Sequence, residues 1–174
     1  DTLFFGAGFK GQDTVALFLG VPLLIYAILM YTRGSLVGHL LLLGLLGYFL
    51  YLYASMAFGA SYNPIFLIYV IIFSSSLYGF ILTFRSALIR LSEFNSMTES
   101  ASRGTAIYLM IAGAITLFVW GEPLITALIQ NTIPARMEGY TTMVTYALDL
   151  AVISPATFIA GWLILQGNVS GVLL

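Results

Sequence analysis

The sequence predicts an all-α fold, a polytopic transmembrane helix bundle of about five spans, from three observations. Of 174 residues, 60% are apolar and only 7% charged, with a mean hydropathy of +1.02. A water-soluble domain carries about a quarter charged residues, because its surface faces water. Six Lys/Arg and seven Asp/Glu cannot cover so much apolar material, so lipid has to be the solvent. The apolar residues also fall in runs of about 20, the helical length that crosses a hydrocarbon core about 30 Å thick. Short segments rich in Gly, Pro, Ser and Asn punctuate those runs.

The opening, residues 1–13, is Gly-rich and mixed, and reads as too polar to span. The first predicted helix covers residues 14–32, with Asp13 as its N-cap and Pro22 inside it. Proline is tolerated in membrane helices because neighbouring groups satisfy the freed carbonyl. Arg33-Gly34-Ser35 makes a tight turn into the second helix, residues 36–58. Asn63 and Pro64 then suit the N-cap and first helical position of a third helix over 64–84, antiparallel to the second.

A polar stretch follows, with Arg85, Arg90, Glu93, Glu99 and Arg103. Its first part keeps apolar residues at helical spacing, so it either extends the third helix or lies along the interface. The fourth helix is predicted over 105–129, and the fifth over 140–165 with Pro155 near its middle. These spans are read as a single transmembrane domain, residues 1–174. The chain opens on Asp1, and another apolar run begins after Gly167, so a longer protein is expected.

Loop charges give an orientation. Arg33, Arg85, Arg90 and Arg103 fall on one side, and Lys10 and Arg136 on the other. Basic residues concentrate in cytoplasmic loops, which places the start of the chain outside a membrane expected to be a prokaryotic cytoplasmic one. Composition excludes several functions. There is no cysteine and one histidine, His39, so thiolate-held metals, disulfides and a bis-histidine haem within this chain are ruled out. No metal site is expected and no cofactor is identifiable. With a net charge of −1 and no basic run, nucleic acid is not a partner. The expected partners are the bilayer and other membrane chains or further copies of this one.

The most informative residue is Asp149, about ten residues into the fifth helix and roughly 13 Å along its axis. A carboxylate at that depth costs about 2.5–3.5 kcal/mol on insertion scales and faces protein or water rather than lipid. Glu138, Thr142, Thr145 and Asp149 are spaced four, three and four apart, which puts them on one helix face. Pro155 has no N–H for the carbonyl of Ala151, kinking the helix and adding an acceptor near the acid. Such a set binds a cation or relays protons; the alternative is an Asp hydrogen-bonded to neighbouring helices as structural glue.

On the second helix Gly44, Gly47, Tyr51 and Ser55 share a face. Small residues let another helix approach, and the alternative is an aromatic-lined pocket. Ser74, Ser75 and Ser76 pack closely or line a polar path. Asp13, Glu122 and Glu138 read as solvated helix-end charges. No Walker loop, zinc-protease helix or nucleophile elbow is present.

Two stretches carry a resemblance. Gly44 to Ser55 (GLLGYFLYLYAS) is followed by Ala57 to Leu67 (AFGASYNPIFL), and the fifth helix holds Tyr140-Thr-Thr and Leu148-Asp-Leu, then four residues, then Pro155. Together they resemble a family of uncharacterised prokaryotic multi-pass membrane proteins. The resemblance covers about half of the chain and implies further helices before Asp1 and after Gly171. It singles out Asn63, Pro64, Asp149 and Pro155, and transfers no activity. Two functional classes remain open: a small transporter or ion- or proton-handling protein using Asp149, and a non-catalytic subunit or scaffold of a membrane complex. An enzyme is third, because no nucleophile–base pair is readable.

Overall fold

A computed structural model describes residues 3–94, 103–134 and 143–173. Among these residues the secondary structure is entirely helical. Five helices are long and apolar enough to cross a membrane: Ala7–Thr32, Leu36–Gly59, Phe66–Ile89, Arg103–Gln130 and Val144–Leu165. Large apolar side chains cover their outer faces, with Phe18, Leu67, Phe118 and Ile129 all strongly exposed. The hydrophobic effect would not leave that surface in water, and the protein is an integral membrane protein.

The chain packs as two compact units, Asp1–Arg90 and Leu91–Leu174. In the first, α1 (Leu3–Val15), a π-helical turn (Ala16–Gly20) and α2 (Val21–Thr32) run on as one helix. It therefore begins earlier than the sequence suggested. Residues 7–13 belong to the first span, and Asp13 is an interior helical residue rather than an N-cap. Tertiary packing is the reason: Phe9 and Ala16, on Asp13's side of the helix, pack into the apolar cluster of this unit. The span stops at Gly34, whose φ of +78° only glycine adopts without strain. Gly34 N–H donates to Tyr31 O and Ser35 N–H to Met30 O, closing the last turn.

α3 (Leu36–Gly59) starts with the Ser35 hydroxyl accepting from Gly38 N–H at 3.2 Å. A Cβ on Gly38 would lie 2.5 Å from Met30 Cβ and 2.7 Å from Tyr31 N, so α2 and α3 meet backbone to backbone there. α4 is Phe66–Ile89. Asn63 Oδ1 accepts from Ile65 N–H at 3.0 Å, and Asn63 O accepts from Phe66 N–H at 3.0 Å. Asn63 and Pro64 thus form a tightened first turn, and the regular helix follows two residues later. At its far end α4 runs past Phe84 to Ile89, held by buried Thr83 and Ala87, and a short 3-10 turn covers Leu91–Phe94.

The second unit holds α5 (Arg103–Gln130), with Pro123 inside it, and a broken fifth span. That span is α6 (Val144–Leu148), a π-helical turn (Asp149–Ile153) and α7 (Ser154–Leu165), followed by the short α8 (Ser170–Leu173). α5 packs against both the π turn and α7. Small residues make this possible. A Cβ on Gly161 would come within 2.8 Å of the Ala106 carbonyl, and one on Gly113 would collide with the Thr157 hydroxyl. Close approach over small residues is how membrane helices gain packing energy without a hydrophobic drive.

Candidate functional site: the interrupted fifth span

The fifth span cannot continue as an unbroken α-helix, because Pro155 has no N–H to donate. The ladder shifts by one residue ahead of it, and Ser154 N–H donates to Asp149 O, five residues back. With Ser154 bonded in that way and Pro155 lacking a donor, at least one of the Leu150 and Ala151 carbonyls has no backbone N–H. Single π turns inside α-helices are frequent at functional sites. In hydrocarbon an unmet carbonyl costs several kcal/mol unless something else satisfies it.

Asp149 opens this turn and is only 8% exposed. Ser154, which closes it, is fully buried, and Tyr146, three residues before Asp149, is 4% exposed. The Tyr146 and Ser154 hydroxyls are enclosed and make no hydrogen bond among the described residues. Thr157 Oγ1 donates to Ser154 O at 2.8 Å, while the Ser154 hydroxyl itself stays unspent. The Trp120 ring of α5 meets Tyr146 edge-on, with centroids 4.6 Å apart and planes at 61°. A buried carboxylate, two buried hydroxyls without a hydrogen bond among the described residues and an underpaired carbonyl thus fall within residues 146–154 of one span.

Thr145 lies half-buried one turn before Asp149. Glu138 and Thr142 lie outside the described residues, so the structure describes the predicted stripe from Thr145 onward. Beyond Asp149 its face continues through Ile153, Ala156, Thr157, Ala160 and Ile164. These residues, with Thr105 and Leu109 of α5 and Gly171 and Val172 of α8, line a cavity of about 330 Å³.

The face on the second span has a different character. Gly47 rests in ordinary contact with the Phe80 ring, whereas nothing lies within 4 Å of a Cβ on Gly44. The Ser55 hydroxyl donates to Tyr51 O at 3.0 Å. His39, the single histidine, is fully buried. Its Nε2 donates to Thr83 O at 2.9 Å, and Tyr31 meets its ring at 5.0 Å. The residue therefore ties the start of α3 to the end of α4. Among the described residues no three His, Cys, Asp or Glu side chains cluster to hold a metal.

Sequence reasoning missed the setting of Asp13. Phe9, Asp13, Ala16 and Gly20 repeat at four, three and four residues, a stripe on one helix face. Ala16 belongs to the core with Phe49, Tyr53 and Tyr69, with Phe9 and Tyr48 packed against it. That spacing was the available signal; the polar residues around Asp13 masked it.

Comparison with known proteins finds no matching family model, no matching curated protein and no matching solved structure.

Proposed function

We propose that this protein handles a cation or protons within the membrane, as a small transporter or sensor, and that Asp149 is the residue that binds them. The observation that carries the proposal is the enclosure of Asp149 at a π turn in a stretch whose two buried hydroxyls, of Tyr146 and Ser154, make no hydrogen bond among the described residues. An acid kept in a span only as structural glue would be expected to use up the polar groups around it, because unmet polar groups in an apolar setting are costly. Here the Tyr146 and Ser154 hydroxyls make no hydrogen bond among the described residues, which favours a site that is filled and emptied. The asymmetry of loop arginines supports an orientation with the start of the chain outside, and the segments resembling an uncharacterised prokaryotic multi-pass family favour a prokaryotic cytoplasmic membrane.

The test is ion and proton flux into proteoliposomes for wild type and Asp149→Asn, with thermal unfolding in detergent as the folding control. The variant should lose at least nine-tenths of the flux while unfolding at a similar temperature. Equal flux from two equally folded proteins would overturn the proposal.

A second reading, a non-catalytic subunit of a membrane complex, draws on Gly44. This exposed glycine on α3 has open space where a Cβ would stand, which suits the close approach of another helix. Stable co-elution with partner chains, lost in Gly44→Leu, would favour it.

A further inference from the structure

The groove along α7 carries no charged side chain in its lining. The first unit, by contrast, brings an acid against a set of aromatic rings. Phe9, Asp13, Ala16 and Gly20 share one face of the first span. Ala16 is core, packed with Phe49, Tyr53 and Tyr69, and Phe9 packs against the same cluster. Asp13 lies between these two contacts on that face, so its half-buried side chain is held at the edge of the cluster.

Helix register gives its depth. The first span and α3 run antiparallel, with Met30 against Gly38 at one end and Gly20 against Phe49 further along. Following that register seven residues beyond Gly20 brings Asp13 level with Met56, three residues before α3 ends at Gly59. At 1.5 Å per residue, that is about 5 Å inside the end of the helix. Tyr53 stands one turn from Met56, and its ring lies 6.0 Å from that of Tyr69, tilted at 41°.

An acid in a membrane span is costly and marks a functional position. Asp13 makes no hydrogen bond or ion pair among the described residues. A hard divalent ion asks for many oxygens, about 6–8 for calcium, and among the described residues no three acids or histidines gather. One carboxylate beside aromatic rings suits an alkylammonium instead, because ring faces attract such a cation within about 6 Å of the centroid.

We infer that Asp13, with Phe9, Tyr53 and Tyr69 about it, binds an alkylammonium group that enters from the membrane surface where α3 ends. The site belongs to the first unit and does not rest on the reading of Asp149. Free organic cations and choline or ethanolamine lipid headgroups carry the same group, and the two sources separate in the test.

The probe is tetramethylammonium, titrated into the full chain in nanodiscs of phosphatidylglycerol, a lipid without an ammonium. Binding is read by saturation transfer to the methyl protons of the probe. Saturable binding is expected, at least tenfold tighter than that of neutral tert-butanol. Asp13→Asn should weaken it at least tenfold. Tyr69→Phe, which keeps the ring, should bind within twofold of wild type, and Tyr69→Leu at least fivefold more weakly. Thermal unfolding in detergent is the folding control. In phosphatidylcholine nanodiscs, an unchanged affinity supports a free cation as the ligand, and an apparent affinity at least tenfold weaker supports the lipid headgroup.

The inference is overturned if tert-butanol binds as tightly, if Asp13→Asn binds unchanged, or if Tyr69→Phe and Tyr69→Leu behave alike. Binding lost in Asp149→Asn but kept in Asp13→Asn would also overturn it, while leaving the fifth-span reading intact. Should Asp13→Asn fail to fold, the Tyr69 pair and the tert-butanol comparison still decide the matter.

Discussion

The first and fifth spans break in the same way and use the break differently. Each is interrupted by a five-residue π turn, Ala16–Gly20 in one and Asp149–Ile153 in the other. In each, the residue after the turn donates its N–H five residues back, Val21 to Ala16 and Ser154 to Asp149, and the next residue is proline. Pro22 and Pro155 thus impose one backbone geometry twice. In the first span the turn buries Ala16 and Gly20, and a Cβ on Gly20 would stand 3.0 Å from the Phe49 ring. In the fifth the turn opens on a carboxylate and closes on a buried serine. Proline supplies the widened turn; the side chains decide whether it is packed shut or left as a set of oxygens.

The sharpest way to break this comparison is to neutralise both acids. Asp149→Asn should reduce cation flux tenfold or more, whereas Asp13→Asn should change it less than twofold, because no enclosed unpartnered hydroxyl flanks Asp13 among the described residues. Equal losses would mean that the two turns are equivalent sites. Next in size is a steric exchange. Gly20→Ile, which copies the residue at the same place in the fifth turn, overpacks the Phe49 contact and should destabilise by about 1–3 kcal/mol. Ile153→Val, on the wall of the groove, should cost about 1 kcal/mol. Unfolding in mixed micelles measures both, and a tolerated Gly20→Ile would show that the first turn is not closed.

The smallest expected effect comes from single hydroxyls. Tyr146→Phe removes a buried hydroxyl with no hydrogen bond among the described residues and should leave the ligand-free protein as stable or up to about 1 kcal/mol more stable, since unmet buried polar groups cost about 1–3 kcal/mol. The same variant should bind cation several-fold more weakly, by titration. A clear loss of stability would instead mark the hydroxyl as a structural tie.

The span pattern was legible because membrane insertion depends on the sum of local side-chain preferences over about 20 residues. Arg33-Gly34-Ser35 and Asn63-Pro64 were legible for a related reason, since turns and caps are made by neighbours in the chain. Asp149 stood out through depth alone. The start of the first span was misread because residues 7–13 are locally polar and glycine-rich, and only packing of Phe9 and Ala16 against α3 and α4 shows that they are helical core-facing positions. The role of His39 was not legible for the same reason: Thr83, which receives its hydrogen bond, lies 44 residues away.

By itself, then, the sequence determined the solvent, the number of apolar spans and the depth of one acid, because each is a property of a continuous stretch of chain. Tertiary structure decided what packs along the span that carries it. The edge-on Trp120 ring and the walls of the groove come from three separate helices of the second unit. Such contacts depend on how helices pair, and Gly113 and Gly161 fix that pairing by admitting α7 close against α5.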